Sequence, residues 1–431
     1  MDTVERYLNE GLPACALVRL ARLARENNGN GQQALDGWQK LRCPLADEPA
    51  PLRDALDRLD KGARPTAAEL AGAPLLWLAA LDAFVHGETL PGDRGADRAV
   101  RDGDQTFWLV PRHRPDAGRG YVARQFGNLA RWLRYHHVLP AAPAGLMPLR
   151  VVAARGNAAA VLDRLARKGE LCVALAAFAD GVVENVAQCY QGLHFTLSGL
   201  AEPGVRLRAA QDALAWARAC KADMLIFPEL TLPADLRADL CDQLLRESRQ
   251  SHLHQVGLVM LGSFHEQQPP GKFRNRGELV AADGSLLVAV EKRCAVTFEE
   301  RAEALDPCDP FEALASPLGL LALAICKDYF DGSVRDMLNL SEPDWIVVPS
   351  MSDSMDPHLR QAAEFRRRLG SCTLVANQPM PRTAAVADTF QFFHAEVPGW
   401  QSLQIQSLFV QRPSAQVLPL DLKKRPPRAK Q

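Results

Sequence analysis

Two textures of hydrophobic pattern divide the chain. Up to about residue 140, apolar residues recur at three- and four-residue spacing. "ACALVRLARLAREN" (14–27), "PLRDALDRLDKG" (51–62) and "PLLWLAALDAFVHG" (74–87) each place them on one side of a helix. The stretch 91–120 is rich in Gly, Pro, Asp and Arg around one strand-like piece, "TFWLV", and predicts a long loop or hairpin. "HHVLPAAPAGLMP" (136–148) has the Pro/Ala content of an interdomain linker. Beyond it the pattern changes. "LRVVAARG" and "LCVALAAFA" predict strands around a helical "NAAAVLDRLARKG", and an amphipathic helix at 204–222 leads into "DMLIFPEL". Short continuous apolar runs follow: "HQVGLVMLGSF", "GELVAADGSLLVAVEK", "LGLLALAIC", "PDWIVVPS" and "CTLVANQ". Such runs fit strands buried on both faces, and helices alternate with them, as in an α/β fold.

Composition narrows the class. The 431 residues suit two to three domains, and 47% hydrophobic residues support a large core. The division expected is a mainly helical domain at 1–145, an α/β domain at 146–425 and a basic flexible tail at 426–431, within "LKKRPPRAKQ". Fifty basic and fifty-one acidic residues offer no general attraction for nucleic acid or an anionic membrane. Ten cysteines, with no CxxC pair and no Cys/His cluster at zinc-finger spacing, suit a reducing compartment. The N-terminus does not read as a signal peptide, and no apolar stretch reaches the roughly 20 residues of a membrane span. A cytoplasmic protein is the expectation.

Three of the apolar runs end in reactive side chains. "DMLIFPE" ends in Glu229, "SLLVAVEK" in Lys292, and "LGLLALAIC" in Cys326, followed by Lys327 and Asp328. Each alone has an ordinary reading: a solvated turn carboxylate, a surface lysine, a core thiol. Together they make a nucleophilic site, because α/β folds expose working groups just beyond strand ends.

In this order and spacing the segments resemble the carbon–nitrogen hydrolase (nitrilase) superfamily, over roughly 170–425. "ADMLIFPEL" looks like that family's strand ending in Pro-Glu, "VEKRCAVTFEE" like its lysine segment, and "LALAICKDYF" like its nucleophile segment. The resemblance implies a four-layer α-β-β-α sandwich, preceded here by the helical region, and a homodimer or higher homo-oligomer. The chain departs from the family pattern with Arg293-Cys294 after the lysine and with Phe330-Asp331-Gly332 after the nucleophile loop.

The chemistry implied is thiol-dependent hydrolysis of a small non-peptide amide or carbamoyl compound, in preference to a nitrile. Glu229 takes the Cys326 proton, Lys292 favours the thiolate, and the Lys327 N–H with Lys292 receives the developing oxyanion. This requires no metal and no organic cofactor. A second acid, eight positions after the lysine, falls on Glu300, beside Glu299; the alternative is that both open a helix-like "FEERAEAL". Asp328 is expected to stabilise the nucleophile turn and Cys294 to be packed, while His136 and His137 have no spaced partner. The competing function is a catalytically weak sensor or scaffold whose N-terminal domain binds a partner or nucleic acid.

Overall fold

The structure, a computed structural model, describes residues 1–27, 50–88, 98–112, 133, 135–168, 170–178, 186–187, 194–200, 202–250, 255–268, 272–298, 301–378, 402–410 and 418–419. It is a mixed α/β fold. No helix among the described residues is long and apolar enough to cross a membrane.

Two large sheets dominate the part after residue 145. The seven-stranded sheet runs Leu286–Glu291, Phe273–Ala281, Leu258–Gln267, Met224–Ile226, Glu170–Phe178, Ser402–Val410, Leu418–Pro419. Its four neighbours Leu258–Gln267, Met224–Ile226, Glu170–Phe178 and Ser402–Val410 pair in parallel. The five-stranded sheet runs Cys372–Gln378, Trp345–Met351, Gly319–Leu323, Phe311–Ser316, Leu149–Ala153.

The continuous apolar runs are explained by what covers each face. Leu171, Val173, Leu175 and Ala177 share one core with Leu321, Leu323, Val347, Leu374 and Ala376 of the other sheet. The intervening Cys172, Ala174, Ala176 and Phe178 pack with Leu214, Leu236 and Leu240 from the helices Pro203–Ala219 and Ala234–Ser248. On the five-stranded sheet, Leu320, Ala322, Ile346 and Val348 likewise meet Met337, Leu338 and Phe365 of the helices Gly332–Ser341 and Asp356–Leu369. Neither side of these strands meets water, so apolar residues fill most positions on both.

The N-terminal part has its own core, in which Leu17, Leu20, Leu59, Leu70, Leu78 and Leu81 pack from helices. It is not helical throughout. Arg98–Asp102 and Gln105–Pro111 form an antiparallel hairpin turning at Gly103, whose φ of 61° suits glycine. His136–Pro140 adds a third antiparallel strand, so the linker reading of 136–148 is overturned for its first five residues. The run HHVL is a strand because both of its faces are covered. Period-2 alternation sends Phe107, Leu109 and Val138 into the helical core, and Val110 and Leu139 into the core that holds the five-stranded sheet's helices.

The adjacent histidines follow the same alternation. His136 Nδ1 lies 2.8 Å from Asp82 Oδ1, whereas His137 Nε2 lies 3.4 Å from Asp344 Oδ2 beyond the other face. Both therefore have partners that linear spacing could not reveal. The Trp108 indole donates to Leu149 O at 3.0 Å and Arg112 pairs with Glu342 at 3.5 Å, so the N-terminal sheet is tied to the larger fold by polar contacts as well.

Burial, helped by the Arg112 charge, outweighs Asp344 and lowers His137 to about 4. An unfolded histidine titrates near 6.5, so the unfolded chain binds this proton first as the pH falls. The His137 contribution to stability is complete above pH 6.5 and is lost as the pH drops towards 4. The unfolding free energy from urea titrations should fall over that interval, by up to about 1.4 kcal/mol per pH unit from this group, and the urea midpoint with it. A His137→Leu variant should show a flatter profile; an unchanged slope would remove His137 as the cause.

Candidate active site

The segment 224–231 shows how the strand end is made. Met224–Ile226 pairs on both sides, and Phe227 N–H continues to Met260 O at 2.9 Å. Pro228 then ends the ladder, since it has no N–H to donate. Its carbonyl accepts the Thr231 hydroxyl at 2.8 Å, and Leu230 adopts φ 56° in the turn between them. Gly262, itself at φ 65°, makes room for this turn: a Cβ there would run into the Pro228 carbonyl oxygen. Glu229 therefore points into the protein and its side chain is 1% exposed.

Lys292 follows Leu286–Glu291, its N–H bonded to Asn275 O at 2.8 Å. Its ammonium lies 2.7 Å from Glu229 Oε1 and 2.7 Å from Glu303 Oε2. Burial lowers the Lys292 pKa, but the two carboxylates outweigh it and hold it well above the ordinary lysine value. Asn275 Nδ2 donates to Glu229 Oε1 at 3.0 Å and to Glu303 Oε1 at 3.1 Å, bracing the two acids against each other. Met351 N–H donates to Glu229 Oε2 at 3.0 Å.

Glu303 is an acid of this site that the sequence reading did not name. Glu300 and Glu299 lie outside the described residues, and Glu303, three positions beyond Glu300, receives the ammonium. The helix alternative for this stretch fails: Arg301–Glu303 is a strand, parallel to His194–Leu197. That pairing fixes the backbone while Glu303 projects onto Lys292. His265 Nδ1 accepts Leu197 N–H at 2.9 Å, which leaves the ring proton on Nε2, 2.9 Å from Glu303 Oε1. Burial raises the Glu303 pKa, but the Lys292 charge and the His265 hydrogen bond bring it down to about 2.

Cys326 stands three residues beyond Gly319–Leu323 and opens a 3-10 turn, Cys326–Tyr329. Its φ is 49°, a left-handed conformation that costs an L-residue about 1–3 kcal/mol and recurs where side chains are presented for function. The thiol is 5% exposed and lies 3.7 Å from Met351 O, the residue whose N–H holds Glu229. Lys327 occupies the next position, where a helical turn's opening amides have no intrahelical acceptor. The Asp328 carboxylate accepts the N–H groups of Arg293 at 3.1 Å and Cys294 at 2.7 Å, tying the nucleophile turn to the lysine segment. Burial outweighs those hydrogen bonds and raises Asp328 to about 7. Cys294 is half-buried with its Sγ 3.3 Å from Asp331 O, and burial and Asp328 raise it to about 12.

Lys292 does favour the thiolate, but burial and the Glu229 charge outweigh it and push Cys326 up to about 12. At neutral pH the sulfur carries its proton, and the Glu229 charge is among the influences that keep it there.

Glu291, Cys308 and Asp309 form a group that could hold a cation, with ligand atoms within 4.8 Å of one another. Arg274 already occupies it, donating to Glu291 Oε1 at 2.9 Å and to Cys308 Sγ at 2.7 Å. A cavity of about 320 Å³, lined by Asn157, Val161, Arg164, Gln255 and Asp283 among others, contains none of the site residues.

Asn275, His265 and Glu303 escaped the sequence reading for different reasons. Glu303 was one of three acids in "FEERAE", distinguishable only once the strand was known. Asn275 and His265 stand 46 and 36 positions from Glu229, in neighbouring strands paired in register Asn275 to His265. A polar residue within an otherwise buried strand was their one available signal.

No family model matches the sequence, and no curated protein matches it. Among solved structures, the chain is similar to an amidase from Nesterenkonia sp., with 20% identity over 41% of this chain and 70% of that one and a TM-score of 0.33. For the NitN amidase of that source the figures are 19%, 51%, 87% and 0.36. For a carbon–nitrogen hydrolase from Helicobacter pylori G27 they are 16%, 47%, 78% and 0.32. The solved structures similar to this chain include an amidase from Nesterenkonia that belongs to the nitrilase superfamily. At such scores the chemistry has to be read from this chain's own side chains.

The electrostatics give a direct expectation for alkylation. Iodoacetamide should label Cys326 slowly at pH 7 and faster with each unit of pH, as a thiol titrating near 12 requires. Glu229→Gln removes the charge that disfavours the thiolate and should speed labelling at fixed pH. Slower labelling in that variant would contradict the arrangement. Peptide mass would locate the adduct.

Proposed function

We propose that the protein is a thiol-dependent hydrolase that cleaves a non-peptide C–N bond, an amide or carbamoyl group, through a thioester on Cys326. The observation that carries this reading is the buried Lys292 ammonium, 2.7 Å from each of two carboxylates, beside a thiol on a left-handed turn. A structural ion pair has no need of a nucleophile at its edge.

In the proposed reaction Cys326 attacks the carbonyl carbon as its proton passes to Glu229. The electron pair of the C=O bond moves to oxygen, where Lys292 and the Lys327 N–H stabilise it. When the intermediate collapses, Glu229 gives its proton to the departing nitrogen. Glu229 next takes a proton from water as that water attacks the thioester, and the proton finally returns to sulfur. One carboxylate thereby serves both halves. Glu303 keeps Lys292 charged and in place, and Glu300 remains a supporting candidate from sequence spacing.

The finer architecture belongs to the same proposal. The distribution of apolar side chains on both faces of both sheets supports a four-layer α-β-β-α sandwich at 146–425. The separate N-terminal core supports a distinct domain at 1–145. A homodimer or higher homo-oligomer in the cytoplasm completes it.

One observation favours the second reading, a sensor or scaffold module of weak activity: Cys326 is 5% exposed and protonated at rest. A panel of short aliphatic amides and carbamoyl compounds, assayed for ammonia release, separates the two. The hydrolase reading predicts turnover that Cys326→Ala abolishes and Lys292→Ala lowers at least 10²–10³-fold, roughly the effect of removing an oxyanion donor. Equal rates in wild type and Cys326→Ala would sink it.

A further inference from the structure

One residue, Met351, is bonded to both members of the proposed proton transfer. Its N–H donates to Glu229 Oε2 at 3.0 Å, and its carbonyl oxygen accepts the Cys326 thiol at 3.7 Å. Whatever fixes Met351 therefore fixes the base and the nucleophile together. Met351 is the last residue of the strand Trp345–Met351, whose parallel pairing with Cys372–Gln378 ends at Met351 and Gln378. Ser352 lies beyond that ladder, yet both of its backbone groups are held. Its N–H donates to Asn377 Oδ1 at 2.9 Å, and Asn377 Nδ2 donates to its carbonyl oxygen at 3.0 Å.

A side-chain amide carries the same donor and acceptor as a peptide group, so Asn377 extends the sheet by one residue. The partners leave no choice of orientation: the amide oxygen faces the N–H and the nitrogen faces the C=O. Asn377 is buried, and the strand that carries it is itself anchored. Gln378 makes the same pair of bonds to Phe178 of the seven-stranded sheet, accepting its N–H at 2.9 Å and donating to its carbonyl oxygen at 2.7 Å. There is an electronic effect as well. The Ser352 N–H and the Met351 C=O belong to one peptide group, so the bond to Asn377 polarises the carbonyl that accepts the thiol. We propose that Asn377 is a positioning residue of the reaction, holding Met351 where its backbone spans Glu229 and Cys326. It acts only through Met351 and Ser352.

The inference deepens the hydrolase reading, on which it rests, yet its first test needs no substrate. Hydrogen exchange of the Met351 amide would be read residue by residue, with Val347, inside the same strand, as the reference. Asn377→Leu removes both bonds to Ser352 and should speed exchange at Met351 at least tenfold more than at Val347. Equal acceleration at the two residues, or none at Met351, would overturn the proposal, because Asn377 would then only stabilise the sheet. Asn377→Asp supplies a rescue. Its un-ionised carboxyl has a donor and an acceptor and reproduces both bonds, whereas the carboxylate has no proton for Ser352 O. Burial raises such a carboxyl above its ordinary value of about 3.9, towards neutrality. The Met351 exchange rate, relative to wild type, should be close to one at pH 5.5 and at least tenfold higher at pH 9. If Asn377→Leu does not fold, this profile decides alone, and a ratio of one at pH 9 overturns the proposal. With a turned-over amide, Asn377→Leu should lower kcat about 10–100-fold at unchanged KM, since a misplacement of about 1 Å can cost 10² in rate. An unchanged kcat would also overturn it. Turnover that survives Cys326→Ala would remove the hydrolase reading and leave the exchange result standing.

Discussion

An ammonium group removed from water costs several kcal/mol unless its surroundings restore what hydration supplied. Lys292, 1% exposed, is held by two carboxylates that are themselves buried, and much of the nearby structure meets that demand. Two acids around one base leave a negative charge in excess, so further donors are required. Asn275 bridges both acids, Met351 N–H reaches Glu229, and His265 and Val296 N–H reach Glu303. These donors come from strands of two different sheets and from the segment that follows Leu286–Glu291. Truncating any member would leave its partners buried with unmet charge, which is more costly than the mean worth of a hydrogen bond. The cluster is costly to assemble but hard to distort, a useful property in a site that must keep a carboxylate beside a thiol.

The nucleophile depends on that cluster in two opposed ways. Lys292 favours the thiolate, while Glu229 and burial disfavour it more strongly. The sulfur therefore rests protonated, and in the proposed reaction its activation waits for a substrate whose carbonyl makes removal of the proton worthwhile. Left-handed conformations at Cys326 and Leu230 mark the same economy of placement: each ends a strand abruptly, so that a side chain leaves the sheet without a long mobile loop. The N-terminal sheet packs on the outer helix Gly332–Ser341, which begins six residues after Cys326, so removing residues 1–145 would take away Val110 and Leu139 and expose the apolar surface they cover.

Much of this was legible in the sequence. Continuous apolar runs gave the positions of the buried strands because both faces of both sheets are covered. The three strand ends gave Glu229, Lys292 and Cys326, since each chemistry-bearing residue directly follows an apolar run. What stayed hidden depends on register between distant segments. Glu303 could not be separated from Glu299 and Glu300 without knowing that 301–303 pairs with His194–Leu197. The strand His136–Pro140 read as a linker because of the Pro/Ala content of 136–148, and its histidines had no spaced partner in the sequence, whereas each lies against an aspartate on a different side. The pKa of Cys326 depends on the balance of burial, Glu229 and Lys292, a three-dimensional sum that no motif carries.

The central claim is that this buried charge cluster exists to make and break a thioester. Its most direct test is the mass of the Cys326 peptide after the protein is mixed with a turned-over amide and quenched in acid within milliseconds to seconds. The account predicts an acyl adduct on Cys326, removed by hydroxylamine as a thioester is, forming and decaying at rates compatible with turnover. Turnover without an adduct at Cys326, and undiminished when that residue is Ala, would contradict it.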